Sequence, residues 1–239
     1  KNNFTSITSV KHFYLEINGF QFEVDGVSNT LLIKNTDLEN HNWGFGNASK
    51  YRFNNIVSAN FGYEYAIRQP NFGELFGEYP ISQPNLNLIP ERSHNVNLGL
   101  KLKLLSKDLI LKANGFYRNT QDQIFINAVA RGLSFNSNLL STNTIGGEVE
   151  VDYKLKYFLN FNLNATYQNN TLSDIGEDSV LRDSYIGEIV PNIPYFFANS
   201  RIQFYASKLF NWGHTITLGH NFNFIENFYP TWLINGRLD

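Results

Sequence analysis

Several groups of side chains in this 239-residue sequence are of the types that bind ions or move protons, and their spacing decides what they can do. Glu148, Glu150 and Asp152 alternate along an extended run, which sets successive carboxylates roughly 7 Å apart on one face. Lys154 and Lys156 continue that face, so a polar wall is expected there rather than a cation site. Asp174, Glu177, Asp178 and Asp183 make the 171–194 stretch acidic but lack the spacing of a calcium loop. His214 and His220 share a strand face yet stand roughly 20 Å apart, beyond the reach of one metal ion. Neither a metal site nor a cofactor is expected from these residues. Catalysis has no better footing: G-x-S-x-G, H-E-x-x-H and Walker-type loops are all absent, and no catalytic residue is assigned.

The remaining candidates lie in YEYAIRQPNFGELFGEYPISQPNLNLIPERSHNVNLGLKLKL, residues 63–104. Its two ends alternate apolar and polar residues as strands do, and a run of Pro, Asn and aromatics joins them. By parity Glu64 and Arg68 share a face with Glu91, Ser93 and Asn95 of the next strand. Arg68 and Glu91 are expected to pair across the two strands and clamp the base of the 67–91 loop, with Pro70 and Pro90 fixing its exits. Direct contact between Arg68 and a ligand is the alternative. Phe72, Phe76 and Tyr79 either stack on a ligand or fold down as an apolar cluster that orders so long a loop.

What positions these residues is a series of strands. Residues 95–104, 148–157 and 159–167 each set apolar side chains on one face and polar ones on the other. The same reading gives strands near 11–17, 20–33, 42–53, 55–66, 92–104, 108–120, 144–157, 158–170, 195–208 and 213–226. Brief connections, beginning with Asn18-Gly19, alternate with long ones at 34–41, 67–91, 121–143 and 171–194. All turns at one end and all loops at the other is the plan of an outer-membrane barrel. Nine residues at about 3.3 Å each, tilted near 40°, rise roughly 23 Å, which matches the apolar band of such barrels. The 15% aromatic content has a place there too: Tyr63, Tyr65, Tyr117 and Tyr167 fall at loop ends, and Tyr51, Phe53 and Tyr157 at turn ends. Strand propensity alone is the competing cause of that excess. With a net charge of -2 there is no basic field for nucleic acid, and the absence of Cys removes thiolate chemistry.

Beyond pattern, specific residues carry a resemblance. Arg68-Gln69-Pro70 with Glu74-Leu75-Phe76, then Asn85, Leu88, Pro90-Glu91-Arg92-Ser93 and Leu98-Gly99, closely resemble a signature of TonB-dependent outer-membrane receptors, especially Bacteroidota-like members. Tyr117-Arg118, Asp122, Ile124, Asn138 and the Pro191–Tyr195 stretch follow in the same order. Gln69 and Ile89 depart from it, standing where the family has an apolar and a basic residue. The resemblance implies an all-β, antiparallel up-and-down transmembrane β-barrel. Residues 1–239 would be a partial barrel of about ten strands, without the plug domain and the final strands. It implies residence in the bacterial outer membrane, contact with its lipid, and capture of a nutrient such as a ferric siderophore by external loops. Import would be driven by the TonB system acting through the plug. Arg68, Phe72, Phe76 and Tyr79 are then the candidate ligand contacts, and Pro70, Glu74, Asn85, Pro90, Glu91 and Gly99 the structural motif. A small passive pore, or a scaffold barrel subunit of a larger complex, is the alternative; there the ten strands would close by themselves.

Overall fold

The computed structural model describes residues 3–24, 31–77, 82–105, 108–128, 134–156, 158–174, 186–191, 193–207 and 215–228. In chain order these form β1 (Phe4–Val24), β2 (Leu31–Arg52), β3 (Val57–Arg68), α1 (Phe72–Phe76), β4 (Ser82–Gln83), β5 (Glu91–Leu104), β6 (Leu109–Ala128), β7 (Ser134–Leu155), β8 (Leu159–Asp174), β9 (Phe196–Ser207) and β10 (Thr215–Ile225). Each long strand pairs antiparallel with the next, in the order β1-β2-β3-β5-β6-β7-β8-β9-β10, and the two-residue β4 pairs parallel with β7. β1 and β10 stand at opposite edges and do not pair with each other among the described residues.

The first hairpin corrects the sequence reading. Asn18-Gly19 is no turn: Asn18 pairs with Asp37 and Gly19 with Thr36 inside an unbroken ladder from Phe4↔Tyr51 to Val24↔Leu31. The stretches expected as strands 11–17, 20–33 and 42–53 are therefore two long strands, and 34–41 is strand rather than loop. Asn-Gly is a strong hairpin signal, but turning there would break a ladder that satisfies backbone groups of alternate residues along both strands. The expected 121–143 loop is likewise mostly strand, since β6 runs to Ala128 and β7 starts at Ser134. Strands of 20 to 22 residues climb roughly 50 Å at a 40° tilt, about twice the height of an apolar band, so these hairpins stand well clear of the lipid. Of the long connections, 67–91 remains a true loop, and of 171–194 only 171–174 belongs to a named strand among the described residues.

Register sorts the side chains into two unlike faces. On one, Leu98 lies between Phe61 and Gly115, Leu100 between Ala59 and Ala113, and Leu102 leads through Leu111 and Val151 to Leu163. Leu98, Leu100 and Val149 remain 61%, 52% and 50% exposed, so among the described residues no second sheet or helix covers this face. An open apolar surface of that extent is matched to lipid rather than water. The other face is polar. Lys11 Nζ meets Glu64 Oε1 at 2.6 Å and Lys112 Nζ meets Glu150 Oε1 at 2.6 Å, while Arg201 Nε donates to Asn221 Oδ1 and Asn199 Nδ2 to Asn164 Oδ1. Among the described residues no helix is long and apolar enough to cross a membrane.

Candidate functional site

Arg68 ends β3 directly opposite Glu91, the first residue of β5. The guanidinium grips this carboxylate through two bonds, Nε to Oε2 at 2.7 Å and Nη2 to Oε1 at 2.5 Å. Nη1 donates to both oxygens of Glu74 at 3.0 Å. A planar fork between two carboxylates uses the geometry that a lysine lacks. Glu74 is itself fixed: it is the third residue of the capping box of α1, taking the Asn71 N–H at 2.8 Å while Asn71 Oδ1 takes the Glu74 N–H at 2.9 Å. The pair expected at the loop base is thus a triad with Glu74 added. Pro70 and Pro90 are buried beside it. Gln69, between Arg68 and Pro70, has both amide atoms buried with no hydrogen-bond partner among the described residues.

The loop lies along the inner side of the β6–β7 hairpin. Leu75, Leu86 and Leu88 bury themselves on Ile124 of β6, with Ile17 of β1 packed against the cluster. Asn85 Nδ2 donates to the Asn136 carbonyl at 2.7 Å, and Asn138 brackets Ile89 by accepting its N–H at 2.9 Å and donating to its carbonyl at 2.8 Å. The same Asn138 amide reaches the carbonyl of Asp122 at 2.7 Å. Asp122 has a positive φ of 55° where the β6–β7 register shifts on either side of Gln123, an irregularity that bends the strand beside the loop. Ile124 N–H then reaches Glu91 Oε1 at 2.7 Å. Asp122, Ile124 and Asn138, scattered in the sequence, meet Arg68, Glu74 and Glu91 in one knot. Asn136 and Leu86 were missed by sequence reasoning; Leu86 had a signal, its alternation with Leu88, and Asn136 had none.

Sequence and structure assign the apolar cluster differently. Leucines fill it, while the Phe72 and Phe76 rings pack against each other, tilted by 35° with centroids 4.5 Å apart, and stay 76% and 37% exposed. Tyr79 lies outside the described residues. Gly99 is buried on the polar face between Asn60 and Asn114, and an added Cβ would meet the Asn60 amide at 2.6 Å. Farther along that face Asn162, Asn164, Asn199, Arg201, Asn221 and Asn223 line a cavity of about 450 Å³. Glu150 and Asp152 are taken up by Lys112, as a polar wall requires. Among the described residues no group of three or more metal-ligating side chains is gathered closely enough to hold an ion; of the two spaced histidines, His220 is on β10 and His214 falls outside the described residues.

Residues 17–236 match a family model described as TonB dependent receptor-like, beta-barrel. The chain belongs to that family. TonB-dependent receptors are bacterial outer-membrane proteins, and the oily outer face and polar inner face described above are the two sides of such a barrel wall. No curated protein sequence matches the chain significantly. Solved structures match its fold: the copper transporter OprC at 15% identity and a TM-score of 0.67, covering 85% of this chain and 30% of that one. The ferric yersiniabactin uptake receptor FyuA from Yersinia pestis gives 14% and 0.67, covering 93% and 32%. The siderophore receptor PiuA from Acinetobacter baumannii gives 16% and 0.61, covering 91% and 31%. This chain therefore spans about a third of the length of the receptors that it resembles.

Proposed function

We propose that residues 1–239 form a segment of the barrel wall of a TonB-dependent receptor whose loops take up a scarce nutrient for TonB-energised import. A plug domain, outside this chain, would close the lumen and carry the signal to and from TonB. The observation that carries this reading is the 67–91 loop: it is buttressed by the Arg68–Glu74–Glu91 triad and a leucine core, yet presents the paired Phe72 and Phe76 rings outward. A stiff scaffold carrying exposed rings has the form of a contact surface, because a ligand gains from rings already ordered before it arrives. Phe72 and Phe76, with Tyr79 as a third candidate, are assigned to the ligand and Arg68 to holding the loop. The work is transport rather than catalysis. The copper, ferric yersiniabactin and siderophore receptors that share the fold make metal and metal–chelate cargo the first class to try.

The test is uptake by cells expressing the full receptor, with radioactive iron–siderophore and copper panels supplied in the presence and absence of TonB. Entry that requires TonB, and that falls at least tenfold in a Phe72→Ala/Phe76→Ala receptor of normal surface abundance, supports the reading. Cargo that enters equally well without TonB would replace it with the passive pore.

A further inference from the structure

The outer face of the β1–β2 hairpin carries a cluster that neither the barrel wall nor the loop uses. His12 and His41 sit on adjacent strands, diagonal to one another because His12 pairs with Trp43 and His41 with Tyr14. Both are exposed, and His12 Nε2 lies 3.1 Å from His41 Nδ1. Two imidazole nitrogens that close, at metal–nitrogen bonds of about 2.0–2.1 Å, subtend an angle of about 98° at a shared ion, between the square and tetrahedral values. The ion would sit to the side of the nitrogen–nitrogen line, which the exposed rings reach by swinging outward.

Two further features favour a cation here. His41 Nε2 lies 3.2 Å from Glu39 Oε1. A carboxylate can only accept, so Nε2 carries the hydrogen and Nδ1 presents its lone pair toward His12, the arrangement in which a carboxylate orients a metal-bound histidine. One row farther up, Glu16 and Glu39 are direct cross-strand partners. Like charges opposed in this way destabilise a sheet unless something positive stands by. No Lys or Arg bonds either acid among the described residues: Glu16 takes Tyr14 Oη at 2.6 Å and Asn18 Nδ2 at 2.9 Å. Rings wall the site, Trp43 at 4.4 Å from His12 and Tyr14 at 4.8 Å from His41.

We propose that His12 and His41 form a two-imidazole site for a borderline divalent cation, Cu²⁺, Ni²⁺ or Zn²⁺, with Glu39 holding His41 in its ligating tautomer. Two protein ligands leave the other positions open to water or to a donor brought in with the metal. Oxygen-seeking Mg²⁺ and Ca²⁺ do not suit imidazole.

The experiment is a Cu²⁺ titration of the full receptor in detergent, followed by electron paramagnetic resonance and by the fluorescence of Trp43. One tight equivalent with hyperfine coupling to two nitrogens, unaffected by millimolar Mg²⁺, is expected. His12→Ala and His41→Ala should each weaken this equivalent at least tenfold, and Glu39→Gln by roughly 10- to 100-fold with the two-nitrogen signal kept. Trp43→Phe should abolish most of the quenching and leave binding intact, which separates the site from copper held elsewhere. If copper binds with equal affinity to the His12→Ala and His41→Ala receptors, or if no nitrogen coupling is seen, the proposal is overturned. The four exposed substitutions leave the ladder of backbone bonds in place, so correct folding can be checked by heat-modifiable mobility on gels.

Discussion

Glu91 and Ile124, 33 residues apart, are joined by a hydrogen bond of 2.7 Å from the Ile124 backbone N–H to Oε1, the same oxygen that receives Arg68 Nη2. This oxygen ties β3, β5 and β6 together at the level where the long loop leaves the wall. The loop owes its order to that junction: α1 hangs from it through Glu74, and the leucines that follow pack on Ile124 itself.

Replacing Glu91 by Ala removes both acceptor oxygens. Arg68 keeps only Glu74, and the Ile124 N–H loses its side-chain partner, at a cost of about 1–3 kcal/mol to the stability of this region. Hydrogen exchange at the Ile124 amide is the readout, and it should quicken by one to two orders of magnitude while amides in the β8–β9 ladder keep their rates. Unchanged protection at Ile124 would show that the loop is held by its leucines alone.

Gln69→Leu should move the other way. Neither amide atom of Gln69 has a partner among the described residues although both are buried, and an unsatisfied buried amide costs about 1–3 kcal/mol. Leucine is one atom shorter but apolar, and asks for no hydrogen bond. Thermal unfolding of the full receptor is expected to rise or stay level, and a clear fall would mean that the amide is in use, as a contact to ligand or plug.

Leu88→Ala tests the core of the loop. Leu88 is 1% exposed, and truncating a buried leucine costs about 2–5 kcal/mol. Because this core belongs to the loop and not to the ladder, the wall should assemble normally while protease nicks the 67–91 stretch faster and ligand affinity drops. A barrel that failed to assemble would place the leucine cluster in the folding of the wall instead.

How much of this was legible in the sequence follows from the range of each interaction. Alternation in 95–104 and 148–157 gave both strands and their faces, since side-chain parity is local and lipid imposes it at every other residue. Arg68 and Glu91 could be paired because Arg68 closes one strand and Glu91 opens the next, which sets them at the two ends of one loop. The long β1–β2 hairpin was not legible: Asn18-Gly19 marks a turn by local chemistry, and only the ladder with Asp37 and Thr36 overrules it. That error hid the His12–His41 pair, whose members seemed to lie on a strand and a loop. Glu74 as second partner of Arg68, and Asn136 as an anchor of the loop, depend on how the loop folds back over β6–β7, which spacing along the chain does not encode.

The division of the sheet into lipid and water faces makes the most direct prediction. Leu100 sits on the apolar face between Ala59 and Ala113 and is 52% exposed. An arginine there would face hydrocarbon and should cost roughly 2–4 kcal/mol if it lies at mid-depth. Its neighbour Lys101 points to the polar side, directly opposite Lys112, where like charges oppose each other and Lys112 already has Glu150. Lys101→Leu therefore gives up little and relieves a repulsion, so its effect on assembly should be small. Unfolding in urea from liposomes compares the two receptors under the same conditions. Equal losses would mean that both faces meet the same medium, and the assignment of outside and inside would have to be abandoned.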